Sequence, residues 1–381
     1  MYRSLLSLSF SVLLLPLQYV SAETTSERAE ALFEDAVSSE TVPGISVAVG
    51  SSDGVQWAQG FGYSDLESKV PMTKKTKLRI GSVSKVMTAS ALMRLVEQGV
   101  IDLDTEVRTL VPEWPDNHSP ISLRQLTNHT SGIRHYKIPD EFLLNIKYSN
   151  TIEALDIFKG DPLLFSPGVK KSYSTYGWTL LSAAMEGAKG KGFKEIVHSE
   201  VFDPLQLKKT TFDDAAPIIP KRQRAYSYFG GTLTNSPEVN SSHKYAGGGI
   251  LSTPKDVVKF ALAHLEPGYL REDSLSKLFT KSHLSDGSEI NIGVGWFIGS
   301  EDLVAEYASD EYEDLRRILQ EHPNIVSHSG LSIGSVSMLI LCPDHQRAIA
   351  AIKNVDLETS ADLTALSLRA LDIFHRSEEN E

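Results

Sequence analysis

Cysteine is nearly absent. The chain has one, Cys342, at the end of the apolar run Ser337-Met338-Leu339-Ile340-Leu341-Cys342. A single thiol excludes an intramolecular disulfide and argues against a Cys-based metal site, so Cys342 reads as a small core residue. Basic charge is also short: 37 Lys+Arg stand against 49 Asp+Glu, a net charge of -12. That balance argues against nucleic acid and against a polybasic membrane contact, and it suits solubility. There is no H-E-x-x-H, and His129 and His135 fall in a turn, so the histidines give no metal signature. Repeats and low-complexity linkers are absent. Long apolar runs are absent too, apart from Leu5 to Val20, which is Ser-interrupted and short for a membrane helix. With Arg3 before it and Val20-Ser21-Ala22 after it, that run reads as an export signal over 1–22, with a mature start near Glu23 outside the cytosol. It lacks the Arg-rich amphipathic character of a mitochondrial presequence. Asn117, Asn128 and Asn240 begin sequons, which matter only in a eukaryotic source.

What is present is ordinary globular composition, 41% hydrophobic and 23% charged in 381 residues, enough for a large core. A helix is expected over 24–39, with Ala29, Leu32, Phe33 and Val37 on one face. Strands are expected at Ile45–Gly50 and Val55–Gly60 around the Asp53-Gly54 turn, followed by a loop from Gly60 to Thr76. A helix starts near Ser82 and stops at Gly99. The middle is mostly helical, with helices over Thr151–Phe158, Tyr176–Ala188 and Phe193–Val201. Strands return at Gly293–Ile298, Gly334–Cys342 and Arg347–Val355, and a helix closes the chain over Ser360–Phe374. Glu301 to Glu321 reads as an acidic, helix-like, solvated surface insertion. Strands from both ends can share one antiparallel sheet, with the first and last helices packed on it. The fold class expected is therefore α/β (α+β): a lobe of about 24–80 and 245–376, an inserted all-helical lobe of about 81–244, and an acidic tail over 377–381.

Three short segments carry chemistry. Gly81-Ser82-Val83-Ser84-Lys85 sets a Ser and a Lys three apart, hence on one helical face. A Ser at a helix start meets unpaired N–H groups, and a partly buried Lys can take its proton. S-x-x-K is the nucleophile motif of penicillin-binding proteins and serine β-lactamases. Phe165-Ser166-Pro167-Gly168 leads to Tyr173-Ser174-Thr175, a phenol beside a Ser N-cap. Held near Lys85, Tyr173 could have its pKa lowered and serve as general base and acid. His328-Ser329-Gly330-Leu331 stands just before a strand. Gly330 would let a substrate backbone approach an edge strand, and the next N–H can donate to an oxyanion.

In this order and at these separations the segments resemble the serine β-lactamase and penicillin-binding-protein superfamily, in its class C-like branch. Leu126-Thr127-Asn128-His129-Thr130-Ser131-Gly132-Ile133, Val201-Phe202-Asp203-Pro204-Leu205 and Ala246-Gly247-Gly248-Gly249-Ile250-Leu251-Ser252-Thr253 resemble further family segments, covering about 25–376. Ser131 to Tyr136 and Tyr173 to Gly177 look most like the LACTB-type serine β-lactamase-like proteins, usually mitochondrial, which keeps a mitochondrial address as the alternative. The resemblance implies Ser82, Lys85 and Tyr173 as catalytic. It implies Thr175, His328, Ser329, Gly330 and Leu331 as substrate-binding or oxyanion residues, and no cofactor or metal. Thr175 stands where many relatives have Asn, and His328 where β-lactamases have Lys. A neutral imidazole is a poor partner for a substrate carboxylate, and both departures fit a peptidase, aminopeptidase-like amidase or esterase better than a β-lactamase. The function expected is an acyl-enzyme serine hydrolase acting on a small peptide, amide or ester. A low-turnover, self-assembling scaffold and a carboxylesterase or weak β-lactamase are the alternatives. Homo-oligomers are compatible with it.

Overall fold

The computed structural model describes residues 23–38, 41–356 and 362–378. The export signal read at 1–22 and the end of the tail lie outside them.

The first helix, α1 (Thr25–Ser38), buries Ala29 and Phe33. Strands β1 (Gly44–Ser51) and β2 (Gly54–Asp65) form the expected hairpin. The second strand runs past Gly60, where a loop was expected. Tyr63 N donates to Pro43 O and Met72 N to Gly62 O, and β3 (Val70–Pro71) pairs with its end. Helix α2 (Ser84–Glu97) is buried along most of its length. Helix α3 (Thr175–Lys189) is capped by Ser174 and closed by the left-handed Gly190, as its sequence dictates. The neighbouring helices are shorter than expected: Thr151–Leu155, and Phe193–Val197 followed by a widened turn over His198–Phe202. Helix α4 (Pro254–Leu262) starts with Pro behind the Thr253 cap.

Only Phe297–Ile298, β4, is strand within the stretch expected from Gly293. Gly295 has φ +79, and Gly293 N donates to Trp296 O, so the chain loops there. The acidic insertion divides in two. Glu301–Glu306 buries nothing, whereas α5 (Glu313–Glu321) buries Leu315, Ile318 and Leu319 and is no solvated excursion. Strands β5 (Val326–Ser332), β6 (Ser335–Cys342) and β7 (Arg347–Lys353) follow, then α6 (Leu363–Glu378). His328 lies inside β5 rather than ahead of a strand.

One seven-stranded sheet runs β4-β5-β6-β7-β1-β2-β3, with its pairs antiparallel. The two ends of the chain meet where β7 pairs with β1, Ala48 opposite Ala350. Alternate side chains divide the core. Ile45, Val47, Val49, Ile340 and Cys342 pack with α1, α5 and α6. Ala48, Leu339, Leu341 and Ala350 pack toward α2, α3 and α4. Among the described residues no helix is long and apolar enough to cross a membrane. Asn128 is 3% exposed with its side chain bonded to Thr130, so its sequon is closed in the folded protein.

Candidate active site

Ser82 sits in a tight turn, Gly81–Val83, one step ahead of α2 rather than within its first α-helical turn. The turn is pinned at both ends. Ile80 N donates to Ile250 O, and Ile250 N donates to Ser84 Oγ. Gly81 has φ +49, and a Cβ there would meet Leu331 N at 2.8 Å. The turn therefore lies backbone to backbone against β5. Gly330 completes that junction, because its Cβ would meet Ile80 O at 2.1 Å. The glycine is therefore required for the close packing of the Gly81–Val83 turn against β5.

Lys85 is fully buried, and burial, with Lys244 next, holds its pKa well below the ordinary lysine value. Its Nζ lies 3.0 Å from Ser82 Oγ, 3.2 Å from Thr175 Oγ1 and 2.5 Å from Gly247 O. A neutral amine has two N–H groups and one lone pair. In the neutral form Gly247 O and Thr175 Oγ1 would take both donors and leave the lone pair for the Ser82 hydroxyl proton. Thr88 Oγ1 donates to Ala246 O and so fixes the loop that carries Gly247.

Tyr173 stands just outside α3. Ser174 Oγ caps the helix through Gly177 N and donates to Arg134 O. Ser174 N donates to His129 Nδ1, and Thr175 N to His135 Nδ1. The His129 ring packs on the Tyr173 ring at 4.3 Å. Burial raises the Tyr173 pKa, against a smaller lowering by its hydrogen bond with Ser82. The expectation of a lowered Tyr173 pKa is thus reversed. Burial therefore favours the phenol form of Tyr173.

His328 is 1% exposed, and burial, then Lys85, push its pKa down to about 3. Its Nδ1 donates to Ser329 O at 2.6 Å and its ring meets Phe297 at 5.1 Å. An imidazole held neutral in this way does not titrate near the ordinary histidine value. Strand β4 covers only Val326 and Ser327, so Ser329 and Leu331 remain exposed on an open edge beside Ser82.

These elements enclose a cavity of about 350 Å³, lined by Ser82, Tyr173, Thr175, His328, Ser329 and Leu331 among others. Lys85 lies behind its wall and Gly330 beneath it. Sequence reasoning missed Lys244, which also lines the cavity. It is 3% exposed, and burial lowers its pKa to about 8. Its ammonium lies 5.2 Å from the Phe142 ring and 5.8 Å from the Tyr136 ring. Among the described residues no carboxylate comes within ion-pairing distance of it. Its place directly ahead of the Tyr245-Ala246-Gly247-Gly248 loop was the available signal. A second cleft of about 400 Å³, lined by Arg79, Arg222 and Asn235 among others, holds no comparable nucleophile and base.

The comparisons agree with this geometry. The family model described as Beta-lactamase matches residues 29–372. The human serine beta-lactamase-like protein LACTB, mitochondrial, is 30% identical over 390 residues, covering 79% of this chain and 69% of that protein. D-amino acid amidase from Ochrobactrum anthropi superposes with a TM-score of 0.76 at 23% identity, covering 93% of this chain and 99% of the other. EstCE1, a hydrolase with promiscuous acyltransferase activity, gives 0.76 at 19% identity, covering 91% and 98%. The family match over residues 29–372, with Ser82 lining one cavity and bonded to a buried lysine of lowered pKa, places the chain in the Beta-lactamase family as a serine hydrolase.

Proposed function

We propose that the chain is an amidase or peptidase for small substrates that carry an anionic group. The observation that supports this most is the Lys85 amine, with two N–H groups engaged and its lone pair left for Ser82 Oγ. In this reading Lys85 takes the Ser82 proton as Oγ attacks the carbonyl carbon. The N–H groups of Ser82 and Leu331 hold the oxyanion. Tyr173 gives its phenol proton to the departing amine, which leaves a phenolate beside the protonated Lys85. The phenolate then takes a proton from the water that attacks the acyl-enzyme, and Lys85 returns its proton to Ser82 Oγ as the acid departs, which restores all three groups. An amine needs a proton to leave, and a phenol of raised pKa can supply one. An alkoxide leaving group needs that help less, which is why an amide is favoured over an ester.

The cavity suits a small acyl group. His328, held neutral, is unsuited to pairing with a carboxylate. Lys244 is the cation that faces the cavity, and it takes the anionic end of the substrate. The leader at 1–22 carries the chain out of the cytosol. The mitochondrial address in the names of the human and mouse relatives is the competing one, and N-terminal sequencing from the native host separates the two.

The test begins with a fluorophosphonate, which should leave a single adduct on Ser82. Matched N-acyl amides and esters, with and without a carboxylate, and cephalosporins are then compared by kcat/KM. Amide turnover that prefers the carboxylate is expected. Turnover of esters alone makes the protein a carboxylesterase, and well-folded chain without an adduct makes it a scaffold.

A further inference from the structure

Behind the sheet, away from the cavity, four side chains converge that play no part in acyl transfer. His322 follows the end of α5. Cys342 ends β6. His345 lies in the turn to β7, and His375 lies in α6. Cys342 and His345 are three residues apart, while His322 and His375 lie about twenty and thirty residues away in sequence. The fold brings His322 Nδ1 to 2.9 Å from His345 Nδ1, and Cys342 Sγ to 3.3 Å from each of those nitrogens. The His375 ring lies 4.1 Å from the His345 ring and 5.0 Å from that of His322, and one nitrogen from each of the three imidazoles falls within 4.8 Å of the others.

We propose that His322, Cys342, His345 and His375 form a zinc site that clamps the last helix and α5 to the edge of the β6–β7 hairpin.

The geometry points to a metal more than to a hydrogen-bonded cluster. In a tetrahedral zinc site, bonds of about 2.0–2.1 Å to nitrogen and about 2.3 Å to sulfur place neighbouring ligand atoms about 3.3–3.6 Å apart. The triangle of Sγ and two Nδ1 atoms already has edges of 2.9, 3.3 and 3.3 Å, so three of the four corners need shift by only a few tenths of an ångström. Protons alone satisfy this triangle poorly. A ring nitrogen either donates or accepts, so one Nδ1–H would have to serve both the other Nδ1 and the sulfur. A cation at the centre takes a lone pair from every corner.

His322 and Cys342 are 0% and 1% exposed. His322 Nε2 is sealed without a hydrogen-bond partner, so Nδ1 is the atom that ring offers. The thiol proton passes to solvent as the Zn–S bond forms. The nearby carboxylates do not compete for the ion: Glu321 and Asp372 are engaged by Arg317 and Arg376. Two imidazoles and a thiolate, with a third imidazole in reach, form a set borne by zinc and other borderline divalent ions and avoided by calcium and magnesium.

The test uses the full chain, purified under reducing conditions without a polyhistidine tag, stripped with chelator and reloaded with Zn²⁺. Mass spectrometry of the metal should give one zinc per chain. Reloading with Co²⁺ should give a thiolate-to-cobalt charge-transfer band and tetrahedral d–d absorption. Cys342→Ser should lose the charge-transfer band, and the pair His345→Gln with His375→Gln should weaken zinc by more than the ~10–100-fold typical of outer-shell losses. Both variants should still acquire the fluorophosphonate adduct on Ser82, which shows that they fold and separates failure of this site from failure of the catalytic reading. Stripping zinc should lower Tm and leave kcat/KM unchanged at temperatures well below it. No zinc in the unaltered chain, or undiminished zinc in both variants, overturns the proposal.

Discussion

The two faces of the sheet bury polar groups in opposite ways. On the cavity side Lys85, Tyr173, His328 and Lys244 gather around a void, and burial disfavours the charged form of each. On the far side the polar groups gather around one another. Arg317 and Arg376 share Asp372 and Glu321, and Arg369 holds Asp314. Those far-side ion pairs tie α5 to α6. The first arrangement stores poor solvation that a substrate can relieve, while the ion pairs of the second leave little for a ligand to add outside the His322–Cys342–His345–His375 cluster. A site is thus marked less by the number of polar groups than by whether their partners are already present.

The contrast breaks most completely at Ser82. Ser82→Ala should lower kcat/KM by roughly 10⁴-fold or more and abolish the fluorophosphonate adduct, with the far-side ion pairs and Tm hardly changed. Lys85→Met comes next, with a loss of about 10²–10⁴-fold, and it should also stabilise the protein at pH 7. A lysine whose folded pKa lies below its unfolded value of about 10.4 leaves the unfolded chain binding more protons between those two values. Stability of the wild type therefore rises with pH through that window. The gain in Tm from Lys85→Met should shrink as pH approaches 10, and an unchanged or lower Tm at pH 7 would show that Lys85 is held as an ammonium.

Lys244 sharpens the comparison further. Its charge is lost as pH rises through about 8, so kcat/KM for an anionic substrate should fall across that range while that of a matched neutral substrate does not. Lys244→Gln should remove the difference and raise KM for the anion by about 10–100-fold, the scale of a hydrogen bond to a charged group. Neither substrate should show an inflection near the ordinary histidine value, because His328 titrates near 3. An inflection there that His328→Gln abolishes would overturn this account of the pocket. The smallest effect belongs to the far side. Asp372→Asn, which loosens pairs to two half-exposed arginines, should cost about 0.5–1.5 kcal/mol in denaturant unfolding and leave turnover alone.

The same contrast explains what the sequence disclosed. Ser82, Lys85 and Tyr173 were readable because tight turns and caps around them impose local patterns, such as Gly81 before the nucleophile and Ser174 ahead of α3. The sheet was readable from alternation in β1, β6 and β7, where both faces are covered. The strand end beyond Gly60 was not, because its partner Val70–Pro71 is exposed and short. Leu315, Ile318 and Leu319 were hidden among acidic neighbours whose charge masked a narrow apolar stripe. Lys244 and the Cys342 cluster acquire meaning only through distance in space. The Tyr173 pKa was misjudged because proximity to a lysine was counted while burial of the phenol itself was not.

The contact of Gly81 with Leu331 and of Gly330 with Ile80 has a consequence for how the enzyme comes into being. The turn that carries Ser82 is translated early and the strand packed against it is translated late. A chain emerging from the ribosome therefore carries Ser82 for most of synthesis without that strand beside it. Under the proposed mechanism, which uses the Leu331 N–H, hydrolase activity would begin only when the last strands close against the first. Reaction of Ser82 with a covalent probe thereby times the final closure of the sheet.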